Sequence, residues 1–448
     1  MSVWRIVHNA VRTNLWPLPV AAVVASVAAG LALPALDRQI DRHIRAWPDP
    51  VLFGGDADAA RTLLDAISSS LITVTSLTFS LTVVTLQLAS SQFSPRLLRT
   101  FTRDRFVQVT LALFLATFAF SLTVMRSIRN GDDAGGQFVP RLSITLAFLL
   151  ALASVIGLVL FLAHLTREIR VETMLRNVHR DARENIEHLT SPLDTASPAQ
   201  TEPTTALAAT AHERRSGDID IPSATSGFLT SIDKTRLVTT AREAQAIVVI
   251  TAMPGSSLIH GVPLGYARFT AAPDQAALDA FLDAVTASVH AGFERTEPQD
   301  IAYGLQQLAD VATKALSPGI NDPTTAVHAL SHSSALLCEL AHRQLGAVAL
   351  HDDHQVLRVV LHRPDLRDLL DLALGQPRRY GAADLDVARR LYGLLDDLTH
   401  HVSQEHVRAI SEQLDQLRHA TSRQGFDDTE HADLAAWDHQ VRARLARL

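Results

Sequence analysis

The first residues whose types and spacing suggest chemistry are the hydroxyls of a charge-free stretch, residues 66–91. Ten of the eighteen residues from Ser68 to Thr85 are Ser or Thr. At 100° per helical residue they form two stripes on opposite faces of a helix. One stripe, extended by a glutamine, contains Ser69, Thr73, Ser76, Ser80 and Gln87. The other contains Thr75, Thr78, Thr82 and Thr85.

Two interpretations of these hydroxyls are open. Small hydroxyl side chains let membrane helices approach closely, and they bond across the contact or back to a carbonyl one turn earlier. Alternatively, one stripe packs on protein while the other lines a water-filled path for an ion or small solute. The candidates for lining such a path are Ser69, Thr73, Ser76, Ser80 and Gln87.

A second group of polar residues surrounds a helix corner further along the chain, at residues 317–323. Pro318 and Gly319 stop one helix, and Asp322 followed by Pro323 is typical of the cap and first position of the next. This structural account needs no ligand. The alternative is a small-ligand site at the N-terminus of the second helix. Its candidate residues are Glu294, Arg295, Asp300, Asn321, Asp322 and Thr324.

Twenty histidines and one cysteine give little reason to expect a metal centre or an enzyme. A metal site needs three or four converging ligands, and the histidine spacings match no such set. Cys338 lies among leucines and is expected to be a small core residue. The phosphate-binding, dinucleotide-binding and nucleophile-elbow motifs do not occur. We therefore predict no catalytic residue, no metal and no cofactor, and we favour a protein that is not an enzyme.

The elements that position these residues begin with four charge-free runs, each long enough to cross a bilayer. They are residues 16–36, 66–91, 106–125 and 142–165. Arginines occur near the start, between the second and third runs and after the fourth, so the positive-inside rule places both termini in the cytoplasm. The sequence predicts a multi-pass protein of the bacterial cytoplasmic (inner) membrane.

After the fourth run the pattern changes to an α+β cytoplasmic region with a small β unit and a mostly helical C-terminal part. The expected division is a transmembrane domain 1–165, a stalk and linker 166–216, a small β-rich unit 217–272 and a mainly helical domain 273–448. Within the last domain we expect a helix over residues 276–294 and a lone strand over 356–361. The net charge of −7 gives no reason to expect nucleic acid as a partner.

Four segments carry a resemblance to a known family. They are QLASSQFSPRLL at the end of the hydroxyl-rich run, ERTEPQD from Glu294, ALSPGINDPTTA across the corner, and RYGAADLDVARRL from Arg379. In these segments the chain resembles the DUF2254 family of bacterial predicted membrane proteins, over about residues 65–398. The resemblance implies a fold and a membrane location. Because that family has no established activity, the resemblance assigns no catalytic residues.

Two functions are consistent with these patterns. The first is an oligomeric channel or transport protein with a hydroxyl-lined second helix and a regulatory cytoplasmic domain. A proton-coupled pump is disfavoured because the spans carry no acidic or basic residue, apart from His164 near the end of the fourth. The second is a non-conducting membrane scaffold or sensor whose cytoplasmic domain binds a partner or small ligand. The expected partners are the lipid bilayer and further copies of the chain, and the first function adds a small solute or ion.

Overall fold

A computed structural model describes residues 16–43, 53–92, 104–129, 138–168, 170–192 and 214–448. The chain forms two compact units, Met1–Thr173 and Met174–Leu448. Three predicted features lie outside the described residues: the arginine-rich loop after the second span, most of the linker, and the FSPRLL part of the family motif.

Four apolar helices form the first unit, which confirms the predicted all-α membrane region. They are α1 (Pro17–His43), α2 (Ala57–Gln92), α3 (Arg105–Met125) and α4 (Arg141–Glu168). Each is long and apolar enough to cross a membrane. The apolar segment of α3 is 56% buried, against 17–28% for the other three. Helix α3 is therefore the centre of the bundle, and the others expose most of their apolar surface.

Helix α2 is longer than the charge-free run that predicted it. It begins at Ala57 instead of residue 66, because Asp56 accepts a hydrogen bond from the Ala59 N–H at 2.8 Å and starts the helix there. Its 36 residues span about 54 Å, well beyond the roughly 30 Å of a hydrocarbon core. The extension brings two acidic residues, Asp58 and Asp65, into the same helix as the hydroxyl stripes.

A carboxylate near the end of α1 caps the start of α4. Asp37 is buried and accepts hydrogen bonds from the Leu142 N–H at 3.2 Å, the Ser143 N–H at 3.1 Å and the Ser143 hydroxyl at 2.7 Å. These N–H groups belong to the first turn of α4 and have no partner inside the helix. Asp37 thus fixes the end of α1 to the beginning of α4.

The second unit contains two β-sheets together with helices, which confirms the predicted α+β class. The strands are β1 (Ile219–Pro222), β2 (Gly227–Ile232), β3 (Ala246–Ile250), β4 (Ser257–Leu258), β5 (Pro263–Phe269), β6 (Val289–Gly292), β7 (Val348–His351) and β8 (Leu357–Leu361). The five-stranded sheet has the order β1-β5-β3-β8-β7, and the three-stranded sheet has the order β4-β2-β6. All pairs are antiparallel except β3 with β8.

Nine α-helices longer than eight residues accompany these sheets in the described part of the second unit. They are α5 (Val171–Leu189), α6 (Lys234–Glu243), α7 (Gln275–Thr286), α8 (Tyr303–Ala315), α9 (Pro323–Leu340), α10 (Leu366–Gly381), α11 (Leu385–Thr399), α12 (Val407–Thr421) and α13 (Asp428–Leu445). Helices α8 and α9 form the hairpin whose corner the sequence predicted.

Helix α5 packs along that hairpin. It buries one face, formed by Met174, Leu175, Val178, Ala182 and Ile186. A side chain at Gly304 of α8 would meet the Ala182 Cβ at 2.2 Å, so the close approach of the two helices requires glycine there. The amphipathic stretch that follows the fourth span is therefore part of the core of the second unit.

Two predicted elements differ from the structure. The helix expected over 276–294 ends at Thr286, because residues Val289–Gly292 pair with β2 and form β6. The strand expected to stand alone at 356–361 is β8, which pairs with both β3 and β7. In both cases a long-range strand pairing decides the outcome, and local periodicity does not encode it.

Candidate functional site

The threonine stripe of α2 faces the inside of the bundle. Thr75, Thr78, Thr82 and Thr85 are between 2% and 8% exposed. Each hydroxyl donates to the carbonyl four residues earlier, at 2.6 to 2.9 Å. Their polar atoms are therefore satisfied by their own helix, and their small side chains pack against the neighbouring helices.

The opposite stripe of α2 lies on the outside of the bundle. Ser69, Thr73, Ser76, Ser80 and Gln87 are all exposed. Thr73 donates to the Ser69 carbonyl at 3.0 Å. Among the described residues, the side chains of Ser76, Ser80 and Gln87 have no hydrogen-bond partner. We call this set of five residues the outer stripe.

Apolar side chains border the outer stripe on both flanks. Leu77, Val84 and Leu88 lie on one side, and Ile72, Phe79 and Val83 on the other. All six are exposed large hydrophobic residues. The outer face of α2 is thus a narrow polar line between two apolar bands.

Two carboxylates extend the outer stripe toward the start of α2. At 100° per residue, Asp58 and Asp65 fall on the same face as Ser69 and Ser76. Both are exposed. Asp58 lies 4.0 Å from Arg61, whereas Asp65 has no ion-pair partner among the described residues. The sequence analysis did not predict these two carboxylates, because the predicted helix began after the last charged residue. The helical angle of Asp65 relative to Ser69 would have indicated that they share a face.

One histidine near the end of α4 has an acidic partner. His164 Nε2 lies 2.5 Å from the Asp104 carboxylate, and its ring lies 4.7 Å from the ring of Phe106. Asp104 also caps α3 by accepting from the Phe106 N–H at 2.8 Å. The pair holds the end of α4 against the beginning of α3.

The corner between α8 and α9 has the cap geometry that its residues predict. Asn321 adopts a positive φ of 51°, which asparagine tolerates better than most residues. Asp322 accepts from the Thr325 N–H at 3.0 Å and from the Thr325 hydroxyl at 2.5 Å. These hydrogen bonds lower the pKa of Asp322 below its usual value. Thr324 is exposed on the first turn of α9.

The other half of the predicted ligand set lies in the turn before α8. Arg295 donates two hydrogen bonds to Asp300, at 2.5 and 3.1 Å, and the Asp300 side chain is only 2% exposed. Burial raises the pKa of Asp300, while the neighbouring Arg295 acts in the opposite direction. The Asn185 amide donates to the carbonyls of Glu297 and Asp300, both at 3.0 Å. These contacts tie the turn to α5.

Two more contacts fix the same turn. Gln299, at a φ of 64°, uses its side-chain amide to accept from the Ile232 N–H at 2.9 Å and to donate to the Ile232 carbonyl at 3.2 Å. A side chain at Gly255 would come within 2.4 Å of both Arg295 and Asp300. The ERTEPQD segment therefore joins α8, β2 and the turn at Gly255.

The structure does not bring the two halves of the predicted ligand set together. Glu294, Arg295 and Asp300 precede α8, whereas Asn321, Asp322 and Thr324 follow it. The 13 residues of α8 separate the two groups by about 20 Å. A single small ligand would touch one group or the other.

Metal and thiol chemistry have no assembled site in the parts of the chain described here. No group of three or more His, Cys, Asp or Glu residues among them is placed to hold a metal ion. Burial raises the pKa of the Cys338 thiol to about 11, so this cysteine is a poor nucleophile at neutral pH.

Four apolar helices followed by an α+β unit define this chain as a polytopic membrane protein. The comparison with known families agrees. A family described as "Predicted membrane protein (DUF2254)" matches residues 12–397, and the chain belongs to that family.

Two relatives in mycobacteria have similar sequences. An uncharacterized protein of Mycobacterium bovis and one of Mycobacterium tuberculosis are each 33% identical over 421 residues, covering 93% of this chain and 78% of the relative. No solved structure matches the chain.

Proposed function

We propose that this protein is an oligomeric channel or transport protein of the bacterial cytoplasmic membrane, in which the outer stripe of α2 lines a path for small cations. The observation that carries the proposal is the opposite placement of the two hydroxyl stripes. The stripe from Thr75 to Thr85 is buried and bonded to its own helix, whereas the outer stripe is exposed and most of its side chains have no hydrogen-bond partner among the residues that the structure describes.

Lipid is a poor solvent for the outer stripe. A hydroxyl or amide without a hydrogen bond in an apolar environment costs about 1 to 3 kcal/mol. Gln87 has two N–H donors and a carbonyl acceptor, so a single bond to its own helix would not satisfy it. Water or a polar protein surface removes this cost.

A path along the outer stripe requires several subunits. The stripe lies on the outside of a four-helix bundle whose centre is α3, so one chain does not enclose it. When several copies surround a common axis with α2 innermost, the outer stripes face one another and the flanking apolar residues pack between adjacent copies. The proposed assembly is a closed ring.

The acidic residues at one end of α2 favour cations as the solute. In a ring, each subunit contributes Asp65, and a ring of carboxylates attracts cations and repels anions. No Asp, Glu, Lys or Arg occurs between residues 66 and 91 of α2, so the line of hydroxyls offers no group for coupled proton transfer.

Native mass spectrometry and liposome flux test the proposal together. The purified protein is expected to form a closed oligomer in detergent and to release K⁺ from liposomes loaded with a potassium salt. A monomer or dimer with no flux of K⁺, Na⁺ or Cl⁻ would overturn the proposal. That result would favour the non-conducting scaffold or sensor.

A further inference from the structure

Helices α5 and α9 run in the same direction in the second unit. The ring of His179 on α5 lies 5.1 Å from the ring of His332 on α9, and further along both helices Arg183 lies 3.4 Å from Glu339. From the first contact to the second, the residue number increases along both helices. The two helices are therefore parallel, and their N-termini are at the same end. Their backbone dipoles therefore place two partial positive charges at that end.

Four side chains that carry or can carry positive charge lie along this contact. Arg176 and His179 are three residues apart on α5, and His328 and His332 are four apart on α9, so each pair shares a helix face. His332 lies within the electrostatic reach of the other three. We call these four residues the Arg–His seam.

Among the described residues, carboxylates form ion pairs with the neighbouring arginines of α5 but not with Arg176. On α5, Arg180 pairs with Asp181 at 3.2 Å, and Arg183 pairs with Glu187 and Glu339. In contrast, Arg176 is exposed and has no ion-pair partner within the described ranges. His328 is among the groups that lower the pKa of Asp322, but the Asp322 oxygens are already bonded to Thr325.

The seam also contains an unsatisfied polar atom. The Nδ1 atom of His179 is buried and has no hydrogen-bond partner in the described structure. A buried polar atom without a partner is costly and rare in folded proteins. An anion at the seam would accept a hydrogen bond from the N–H form of His179 Nδ1 and from the Arg176 guanidinium, which gives both groups the partner that they lack in the described structure.

We propose that the Arg–His seam binds an anionic phosphate group, with the headgroup of an anionic lipid as its source. Only two residues separate Glu168, the last residue of α4, from Val171, the first residue of α5. Arg176 follows Val171 by five residues, which is about 8 Å along the axis of α5. Basic residues that follow a span this closely in sequence are attracted to anionic headgroups. The site is independent of any solute path along α2.

Nanodiscs of defined composition test the lipid source. The full-length protein is reconstituted in phosphatidylcholine with or without phosphatidylglycerol, and retained lipids are counted by native mass spectrometry. We expect preferential retention of phosphatidylglycerol, and we expect Arg176→Gln to weaken it about fivefold, as the loss of one arginine near an anionic surface implies. Arg180→Gln is the matched control, because it removes the same charge one turn further along the helix from a residue already paired with Asp181.

Additional arms make each result decisive. Arg176→Lys keeps the charge and should restore most of the retention, which separates lost binding from lost folding. Inorganic phosphate is added to the detergent-solubilised protein in a thermal unfolding assay. Stabilisation by phosphate that Arg176→Gln abolishes, without preference for phosphatidylglycerol, would overturn the lipid source and leave a soluble phosphate compound as the ligand. Equal behaviour of the wild type, Arg176→Gln and Arg180→Gln in both assays would overturn the site.

Discussion

Ser76 and Thr78 lie two residues apart on α2 and face opposite environments. Thr78 is 2% exposed and donates to the Val74 carbonyl at 2.8 Å, whereas Ser76 is exposed and its hydroxyl has no partner within the described structure. The fold of a single chain explains a buried, bonded hydroxyl such as that of Thr78. It does not explain an exposed hydroxyl without a partner in the described structure, such as that of Ser76. The difference between these two residues is the basis of the proposed path.

Replacing one threonine on each face of α2 separates the two roles. Thr73 and Thr78 both bond to a carbonyl four residues earlier, at 3.0 and 2.8 Å, but only Thr73 is exposed. Thr→Val removes a hydroxyl with little change in size, so the two variants are matched chemically. We expect Thr73→Val to reduce K⁺ flux in liposomes and Thr78→Val to leave it unchanged. Equal flux from both variants and the wild type would contradict the role of the outer stripe.

The acidic end of α2 should set charge selectivity. Asp65→Asn removes one carboxylate per subunit from the proposed ring, so we expect the reversal potential under a KCl gradient to move toward that of a less cation-selective pore. Asp58→Asn is the control, because Asp58 already has Arg61 at 4.0 Å and should matter less. An unchanged reversal potential for Asp65→Asn would show that this carboxylate does not face the path.

Asp322, the N-cap of α9 at the α8–α9 corner, should contribute to the free energy of unfolding. Asp322→Ala should lower the free energy of unfolding by about 1 kcal/mol, since it leaves first-turn N–H groups of α9 without an acceptor. Asp322→Asn retains an acceptor and should cost less. Because the folded-state pKa of Asp322 is below its usual 3.8, its ionised form contributes stability above about pH 4, and this contribution is lost as the pH falls through the lowered value. Denaturant unfolding at pH 7 and at pH 3 measures both effects, and a cost near zero for Asp322→Ala at pH 7 would refute the cap.

Breaking the ion pair between Arg295 and Asp300 should destabilise the protein to an extent that depends on pH. Arg295→Met leaves a buried carboxylate without its partner, which should cost about 3 kcal/mol at neutral pH. The folded-state pKa of Asp300 is already raised by burial, and loss of Arg295 should raise it further. Ionisation of Asp300 then opposes folding as the pH rises through that raised value, so Arg295→Met should be less destabilised at pH 5 than at pH 7.5.

A second substitution checks this account of the pair. Adding Asp300→Asn to Arg295→Met removes the buried charge and should abolish the difference between the two pH values. A loss of stability that is the same at pH 5 and pH 7.5 for Arg295→Met alone would show that the cost comes from packing and not from the unpaired carboxylate.

The Arg–His seam should make the second unit less stable in acid. Burial lowers the pKa of His332 below its usual 6.5, and electrostatic interactions with His179, His328 and Arg176 act in the same direction. The unfolded chain therefore binds a proton more readily than the folded chain, so stability is complete above about pH 6.5 and declines as the pH falls toward the lowered pKa. His332→Gln should flatten this part of the pH profile in thermal unfolding scans. An identical slope for the variant would exclude His332 as its source.

Charge-free runs were sufficient to predict the four spans, but not where their helices begin and end. The apolar sequence of α2 is interrupted by Asp58, Arg61 and Asp65, but the helix continues through them. An exposed helix face tolerates charged residues. The cap of α4 by Asp37 joins residues more than 100 positions apart and has no local signal. The cap at Asp322 was predictable because Asp-Pro encodes it locally.

The two hydroxyl stripes were predictable as well, since helical periodicity alone separates them. Which stripe would be buried was not predictable from sequence, because both have the same small polar character. Packing against α3 decides it, and that packing depends on side chains of another helix. The pairing of β6 with β2 and the alignment of α5 with α9 depend in the same way on distant segments.

Cysteine accessibility during flux tests the path most directly. In a Cys338→Ala background, Ser80→Cys and Thr78→Cys place single thiols on the outer and inner faces of α2, less than one turn apart. A charged methanethiosulfonate reagent is added to liposomes while K⁺ flux is recorded. The proposed path predicts rapid block of Ser80→Cys and no effect on Thr78→Cys. Flux that persists unchanged in Ser80→Cys after confirmed labelling of the thiol would contradict it.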